Sequence, residues 1–177
     1  MRQESPTRRT NRLRAWLAVA ALAASAAGMA SMAGCSQRAA APTVSYTLLD
    51  GKQSDLASLR GKVVLVNFWA TSCTTCVHEM PQIIATHNKF AGPAFDTLAV
   101  AMSYDAPAYV SNFAESRHLP FGVAIDNTGA IAGKFGDVQM TPTTVLIDKH
   151  GGIVKRYVGE PDFAELQALI GKLIAEA

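Results

Sequence analysis

The 177-residue sequence predicts an α/β protein in which a central mixed sheet is flanked by helices on both faces. Apolar, β-rich runs alternate with amphipathic helical runs, which is typical of a mainly parallel sheet covered on both sides. A tight turn at 148–152 joins two late strands, which predicts an antiparallel hairpin at one edge of that sheet. The composition agrees with a folded domain, because 49% hydrophobic residues and a net charge of +2 exclude a disordered chain and give no reason to expect nucleic-acid binding.

Six segments have the pattern of β-strands. Val63–Trp69 is a near-continuous apolar run, which indicates a central strand buried on both faces. The other strands are expected at residues 43–49, 95–102, Gly122–Ile125, Thr143–Ile147 and Ile153–Val158.

Four segments have the 3.6-residue spacing of helices. They are expected at residues 75–90, 106–117 and 131–135, and after Asp162, whose side chain is placed to cap the last helix. Residues 56–61 resemble a short helical turn and its exit. Pro81 lies inside the first helix and is expected to kink it, because proline removes a helical hydrogen bond.

The N-terminal 34 residues have the pattern of a secretory signal. Residues 1–14 contain five arginines and one glutamate, and residues 15–33 are uncharged and contain ten alanines. The alternative is a transmembrane anchor, because 19 uncharged residues are nearly long enough to span a bilayer. The low hydrophobicity of this run and the missing stop-transfer cluster favour a signal. Without residues 1–34 the net charge changes from +2 to −2, so the basicity belongs to the signal.

The end of this segment resembles a bacterial lipobox. In the sequence Ser-Met-Ala-Gly-Cys at 31–35, small residues precede Cys35, although Met32 stands where leucine is usual. The resemblance implies cleavage before Cys35 and a diacylglycerol on its thiol, on the periplasmic side of the inner or outer membrane. The alternative is a secreted protein with a free Cys35. The expected organisation is a signal at 1–34, a lipidated tether at 35–42 and one domain at 43–177.

Cys73 and Cys76 form a C-x-x-C pair where the central strand ends and a helix begins. A helix N-terminus stabilises a thiolate, so Cys73 is expected to attack and Cys76, one turn further, to resolve the mixed disulfide. Covalent haem attachment would need a histidine at Val77. A zinc site would need more ligands than one cysteine pair and scattered histidines provide. A purely structural disulfide is disfavoured because so short a ring closes little loop entropy.

Several motifs together resemble the thioredoxin-like TlpA/ResA family of membrane-tethered thiol-disulfide oxidoreductases. The motifs are V-N-F-W-A-T at 66–71, the C-x-x-C pair, E-M-P at 79–81 and T-P-T-T at 141–144. The resemblance covers residues 42–175 and implies a thioredoxin-like fold. It further implies that Pro142 is the cis-proline beside the sulfurs, that the Thr141 backbone pairs with an extended substrate, and that Trp69 packs beneath the dithiol. The alternatives are an ordinary strand-start proline and a plain core tryptophan.

Two acidic residues are candidates for handling the proton. Cytoplasmic thioredoxins have an aspartate at the place of Asn67, which cannot titrate. The ResA-like group has an acid just after the next strand, where Asp105 stands; the alternative is that Asp105 caps the helix starting at Ala106. Glu79 also fits the family pattern, and its alternative is a carboxylate on the helix surface.

The resemblance implies a reductase with no cofactor beyond the Cys73–Cys76 disulfide and with no metal. Electrons would come from a membrane thiol transporter and pass to cysteine-containing extracytoplasmic proteins, with apocytochrome c among the expected substrates. The C-x-x-C dipeptide, here two threonines, leaves the direction of electron flow open. One alternative is a peroxiredoxin-like peroxidase, in which Thr71 would pair with Cys73, although no arginine lies between Arg60 and Arg117. Another is a copper-binding assembly protein of the same fold, whose cysteines are spaced more widely.

Overall fold

A five-stranded mixed sheet forms the centre of the computed structural model, which describes residues 38–176. Its five strands are β3 (Val63–Trp69), β4 (Phe95–Ala101), β5 (Gly122–Ile125), β6 (Thr143–Ile147) and β7 (Ile153–Val158). The strand order is β5-β4-β3-β6-β7; β3, β4 and β5 are parallel, and β6 is antiparallel to both β3 and β7. The β6–β7 hairpin therefore lies at one edge, as the sequence predicts.

Helices cover both faces of this sheet, which confirms the predicted fold class. The α-helices are α1 (Thr74–Phe90), α2 (Pro107–Ser116), α3 (Ala130–Lys134) and α4 (Phe163–Ala175), and a 3-10 helix spans Leu56–Leu59. The central strand β3 is buried along its whole length. Its residues alternate between two cores, with Leu65 and Trp69 facing α1, α2 and α4, and Val66 and Phe68 facing α3 and the 3-10 helix.

The sequence predicts one of the two strands of a small second sheet. The expected strand at 43–49 is reduced to β1 (Ser45–Thr47), which pairs antiparallel with β2 (Gln53–Asp55). The sequence gives no sign of β2, because its three polar residues have no apolar alternation and are ordered by their pairing partner. The other predicted elements agree to within two residues at each end. The helix α1 continues through Pro81 from Thr74 to Phe90.

Residues 38–41 are bound to the domain, although the sequence predicts a tether as far as residue 42. The Ala41 amide donates to the Gly151 carbonyl at 2.8 Å, and the Ile153 amide donates to the Ala39 carbonyl at 2.7 Å. Arg38 forms an ion pair with Asp148 at 2.8 Å. Hydropathy does not reveal these contacts, because the partners are backbone groups of Gly151 and Ile153 and the side chain of Asp148. Cys35 and the signal lie outside the described residues, and within residues 38–176 no helix is long and apolar enough to cross a membrane.

Candidate active site

The two cysteines lie at the N-terminus of α1 and are joined by a disulfide. Cys73 is the N-cap residue, and its sulfur accepts a hydrogen bond from the Cys76 amide at 3.1 Å. The first turn contains no acidic side chain, so no carboxylate of that turn offsets the positive end of the helix dipole at the Cys73 sulfur. Cys73 is half-buried and Cys76 is fully buried. This asymmetry fits an attacking first sulfur and a protected resolving sulfur.

The Thr141–Pro142 peptide bond is cis and directly precedes β6, which pairs with the strand that leads to Cys73. In the antiparallel β3–β6 ladder Phe68 is paired with Thr143, so the same register places Pro142 level with Trp69, four residues before Cys73. The Pro142 carbonyl accepts from the Gly159 amide at 2.8 Å. Within residues 38–176 the Thr141 amide and carbonyl have no backbone partner. They are therefore free to pair with an extended chain.

Trp69 belongs to the core that contains Cys76. Its side chain is fully buried, and its ring lies 5.0 Å from the ring of Phe113. Trp69 is therefore a core residue at the end of β3, and its packing beneath the dithiol stays a prediction of the family resemblance.

Asp105 does not cap the following helix. The helix α2 begins at Pro107, with Ala106 as an N-cap residue that makes no side-chain hydrogen bond. Proline suits this first position because its φ is fixed and no amide is needed there. Instead, the Asp105 carboxylate is almost fully buried, and each of its oxygens accepts from Thr71, one from the amide and one from the hydroxyl, both at 2.6 Å. The capping interpretation is wrong, and the carboxylate is bound to the loop that leads to Cys73.

Glu79 is fully buried, so its interpretation as a surface carboxylate is wrong. One carboxyl oxygen accepts from the Asn67 side-chain amide at 3.0 Å, and the same amide donates to the Thr144 hydroxyl at 3.0 Å. The second oxygen has no partner among the described residues. The pKa of Glu79 is raised to about 7, mainly by burial and to a smaller extent by the charge of Glu160, while the Asn67 hydrogen bond lowers it.

The position of Glu79 follows from helical geometry. Residues three apart lie on the same face of a helix, so Glu79 shares the buried face of α1 with Cys76 and Ile83. The spacing of apolar residues in the sequence could have revealed this burial.

The sequence gives no sign of three other contacts. These are the bonds of Thr71 to Asp105, of Asn67 to Thr144, and of the Tyr104 hydroxyl to the Thr141 hydroxyl at 3.1 Å. They join residues 34 to 77 positions apart, beyond the reach of any local pattern. Among the described residues no three His, Cys, Asp or Glu side chains are grouped as a metal site.

Comparisons with known proteins agree with this geometry. The redoxin family model matches residues 36–170. The thiol-disulfide oxidoreductase ResA of Bacillus thuringiensis (strain Al Hakam) is 35% identical over 133 residues, which are 75% of this chain and 76% of that protein.

Two solved structures are similar over most of the chain. A thioredoxin-type protein from Neisseria meningitidis is 44% identical, with a TM-score of 0.71 over 77% of this chain and 90% of its own. The pneumococcal exposed lipoprotein thioredoxin of Streptococcus pneumoniae is 26% identical, with a TM-score of 0.65 over 74% of this chain and 99% of its own.

Proposed function

The chain belongs to the redoxin family and is a thiol-disulfide oxidoreductase of the ResA type, and on that basis we propose that it is a lipid-anchored, extracytoplasmic reductase of protein disulfides. The observation that carries the proposal is the asymmetry of the two sulfurs. Cys73 is partly accessible at a helix N-terminus, beyond the same end of β3 as the unpaired Thr141 backbone, whereas Cys76 is enclosed. A substrate disulfide can therefore reach one sulfur while an adjacent backbone edge holds the substrate chain.

The reaction proceeds by two thiol-disulfide exchanges. The Cys73 thiolate attacks one sulfur of the substrate disulfide, and the other substrate sulfur leaves as a thiolate that takes up a proton. Cys76 then loses its proton and attacks the Cys73 sulfur, which releases the second substrate thiol. The substrate gains two electrons, and the protein is left with the Cys73–Cys76 disulfide that the structure contains. A dithiol donor must then reduce this disulfide.

Of the two candidate acids, Glu79 is proposed to accept the proton of Cys76. It lies one helical turn after Cys76 and is equally buried. Because its pKa is about 7, both its protonated and its ionised forms are present at neutral pH. Its second oxygen has no other partner among the described residues. Asp105 is not proposed for this role, because both of its oxygens are already bound to Thr71.

The location and the partners belong to the same proposal. The lipobox-like sequence at 31–35 supports a lipid on Cys35, and one structural relative is described as an exposed lipoprotein. The electron donor is proposed to be a membrane-embedded thiol transporter, and the substrates are oxidised cysteine pairs of secreted proteins, including the C-x-x-C-H pair of apocytochrome c.

The test uses an oxidised C-x-x-C-H peptide and the purified full chain. The reduced protein should convert the peptide to its dithiol, and Cys76→Ser should accumulate a mixed disulfide between Cys73 and the peptide, visible by mass spectrometry. Cys73→Ser should form none. A reduction potential of about −300 mV supports a reductant, whereas one of about −120 mV would overturn that direction. Recovery of Cys35→Ala, but not of the wild type, in the soluble fraction would support the lipid anchor.

The structure weighs against the peroxidase alternative. Such a role for Thr71 requires a free hydroxyl near Cys73, but this hydroxyl donates to Asp105. No arginine stands between Arg60 and Arg117 in the sequence to stabilise a peroxide. A slow, ordinary thiol rate with hydrogen peroxide in stopped-flow measurements would exclude this alternative.

A further inference from the structure

We propose that Asp105 is a positioning residue that sets the redox equilibrium of the Cys73–Cys76 pair by holding Thr71. The inference deepens the thiol-disulfide chemistry of this same site and does not depend on which protein is the substrate. Thr71 lies two residues before Cys73, in the short loop between β3 and α1. Asp105 lies beyond the end of the neighbouring parallel strand β4.

The contact has the geometry of a clamp. The two Asp105 oxygens bind the amide and the hydroxyl of one residue, both at 2.6 Å, and the carboxylate is 5% exposed. Hydrogen bonds to a charged acceptor are about twice as strong as neutral ones, and burial removes competing water. Because one bond is made by the Thr71 amide and the other by its hydroxyl, they fix the backbone and the side chain of Thr71 together.

This loop determines how close the two sulfurs remain in the dithiol form. In the oxidised form the disulfide itself closes the ring of residues 73–76. In the reduced form only noncovalent contacts can hold Cys73 at the helix N-terminus. In the oxidised form that the structure contains, its sulfur accepts from the Cys76 amide. The Asp105–Thr71 clamp reduces the freedom of this form and keeps it close to the disulfide geometry, so it raises the effective concentration of one thiol at the other.

Asp126 provides a matched control for variants of Asp105. Asp126 follows the next parallel strand, β5, is 3% exposed, and accepts from two backbone amides, those of Ile131 and Ala132 at 3.1 and 2.8 Å. Like Asp105, it is a buried aspartate at the carboxyl end of a strand with two bound donors. It holds α3 rather than the loop before Cys73, so a variant at Asp126 should lose stability without changing the sulfur chemistry.

The test is the equilibrium with glutathione, measured on the purified full chain. Two glutathione thiols give two electrons and two protons to the Cys73–Cys76 disulfide and become oxidised glutathione. We expect Asp105→Ala to make the protein disulfide about tenfold easier to reduce, which is the factor that one lost charge-assisted hydrogen bond can produce. Thr71→Val should change the equilibrium in the same direction and Thr71→Ser should restore it. Asp126→Ala should leave it unchanged.

Two further variants separate positioning from proton transfer. Asp105→Asn cannot titrate but can still accept from the Thr71 amide, so it should stay within about threefold of the wild type if Asp105 acts by position. The double variant of Asp105→Ala with Thr71→Val should equal Asp105→Ala alone, because Asp105→Ala already removes the hydroxyl bond that Thr71→Val removes. The proposal is overturned if Thr71→Val leaves the equilibrium unchanged, if Asn is as disruptive as Ala, or if Asp126→Ala has the same effect. Glutathione needs no protein substrate, so failure of the peptide assay above would leave this result intact.

Discussion

Replacing Glu79 by glutamine should remove a specific pH dependence of stability. Glu79 is fully buried, and burial raises its pKa from the ordinary 4.5 to about 7. The folded protein therefore holds a proton that the unfolded chain releases between these two values. A carboxyl group with a raised folded pKa contributes its full stability below about pH 4.5, and this contribution is lost as the pH rises towards 7. The wild type should lose stability across this window.

The magnitude follows from the shift. Each pKa unit corresponds to about 1.36 kcal/mol, so a difference of about 2.5 units predicts a loss of about 3 kcal/mol in the free energy of unfolding. Glu79→Gln cannot ionise, and its amide oxygen can still accept from Asn67. The variant should therefore resemble the wild type near pH 4 and be more stable by about 3 kcal/mol at pH 8.

The assay is urea unfolding of the oxidised protein at several pH values between 4 and 9. In this form Cys73 and Cys76 are joined in the disulfide and do not titrate. Other titrating groups are present in both proteins and cancel in the difference. Glu115→Gln makes the same change at an exposed position of α2 and controls for the substitution itself. A difference between Glu79→Gln and the wild type that is flat in pH, or that grows towards acid, would refute the reasoning.

Three further predictions concern stability and use the same unfolding assay. Burial lowers the pKa of His87, whose ring is hydrogen-bonded to the Thr97 hydroxyl, so the wild type should lose stability as the pH falls below about 6.5. His87→Gln should abolish that loss, and parallel curves of stability against pH for the two proteins would contradict the prediction. Asp162→Ala removes two bonds to the start of α4 and should cost about 1 kcal/mol; a change below a few tenths would argue against the cap. Leu166→Ala in the core should cost about 2–5 kcal/mol, far more than Leu49→Ala at the surface, and equal losses would contradict the assigned burial.

The sequence alone determined the fold class and the reacting groups of this protein. Both depend on local information: the apolar run Val63–Trp69 specifies a buried strand, and the C-x-x-C spacing places two sulfurs within one helical turn. The T-P-T-T motif led to the expectation of a cis-proline at Pro142, where the structure has one. The strand β2 was not predictable, because three polar residues gain their conformation only from pairing with β1.

Only the tertiary structure decided which surroundings the two acids have. By their positions in the sequence Asp105 and Glu79 are both candidates for handling the proton, but the chemistry of a carboxyl group depends on its surroundings. Asp105 accepts two hydrogen bonds from Thr71 in the loop that follows the adjacent strand, whereas Glu79 is buried beside Asn67 and has a raised pKa. These contacts form between segments that are distant in the chain and adjacent in the sheet. Burial and hydrogen bonding set a group's chemistry. Local periodicity can indicate that Glu79 is buried, but it does not encode hydrogen bonds across such distances.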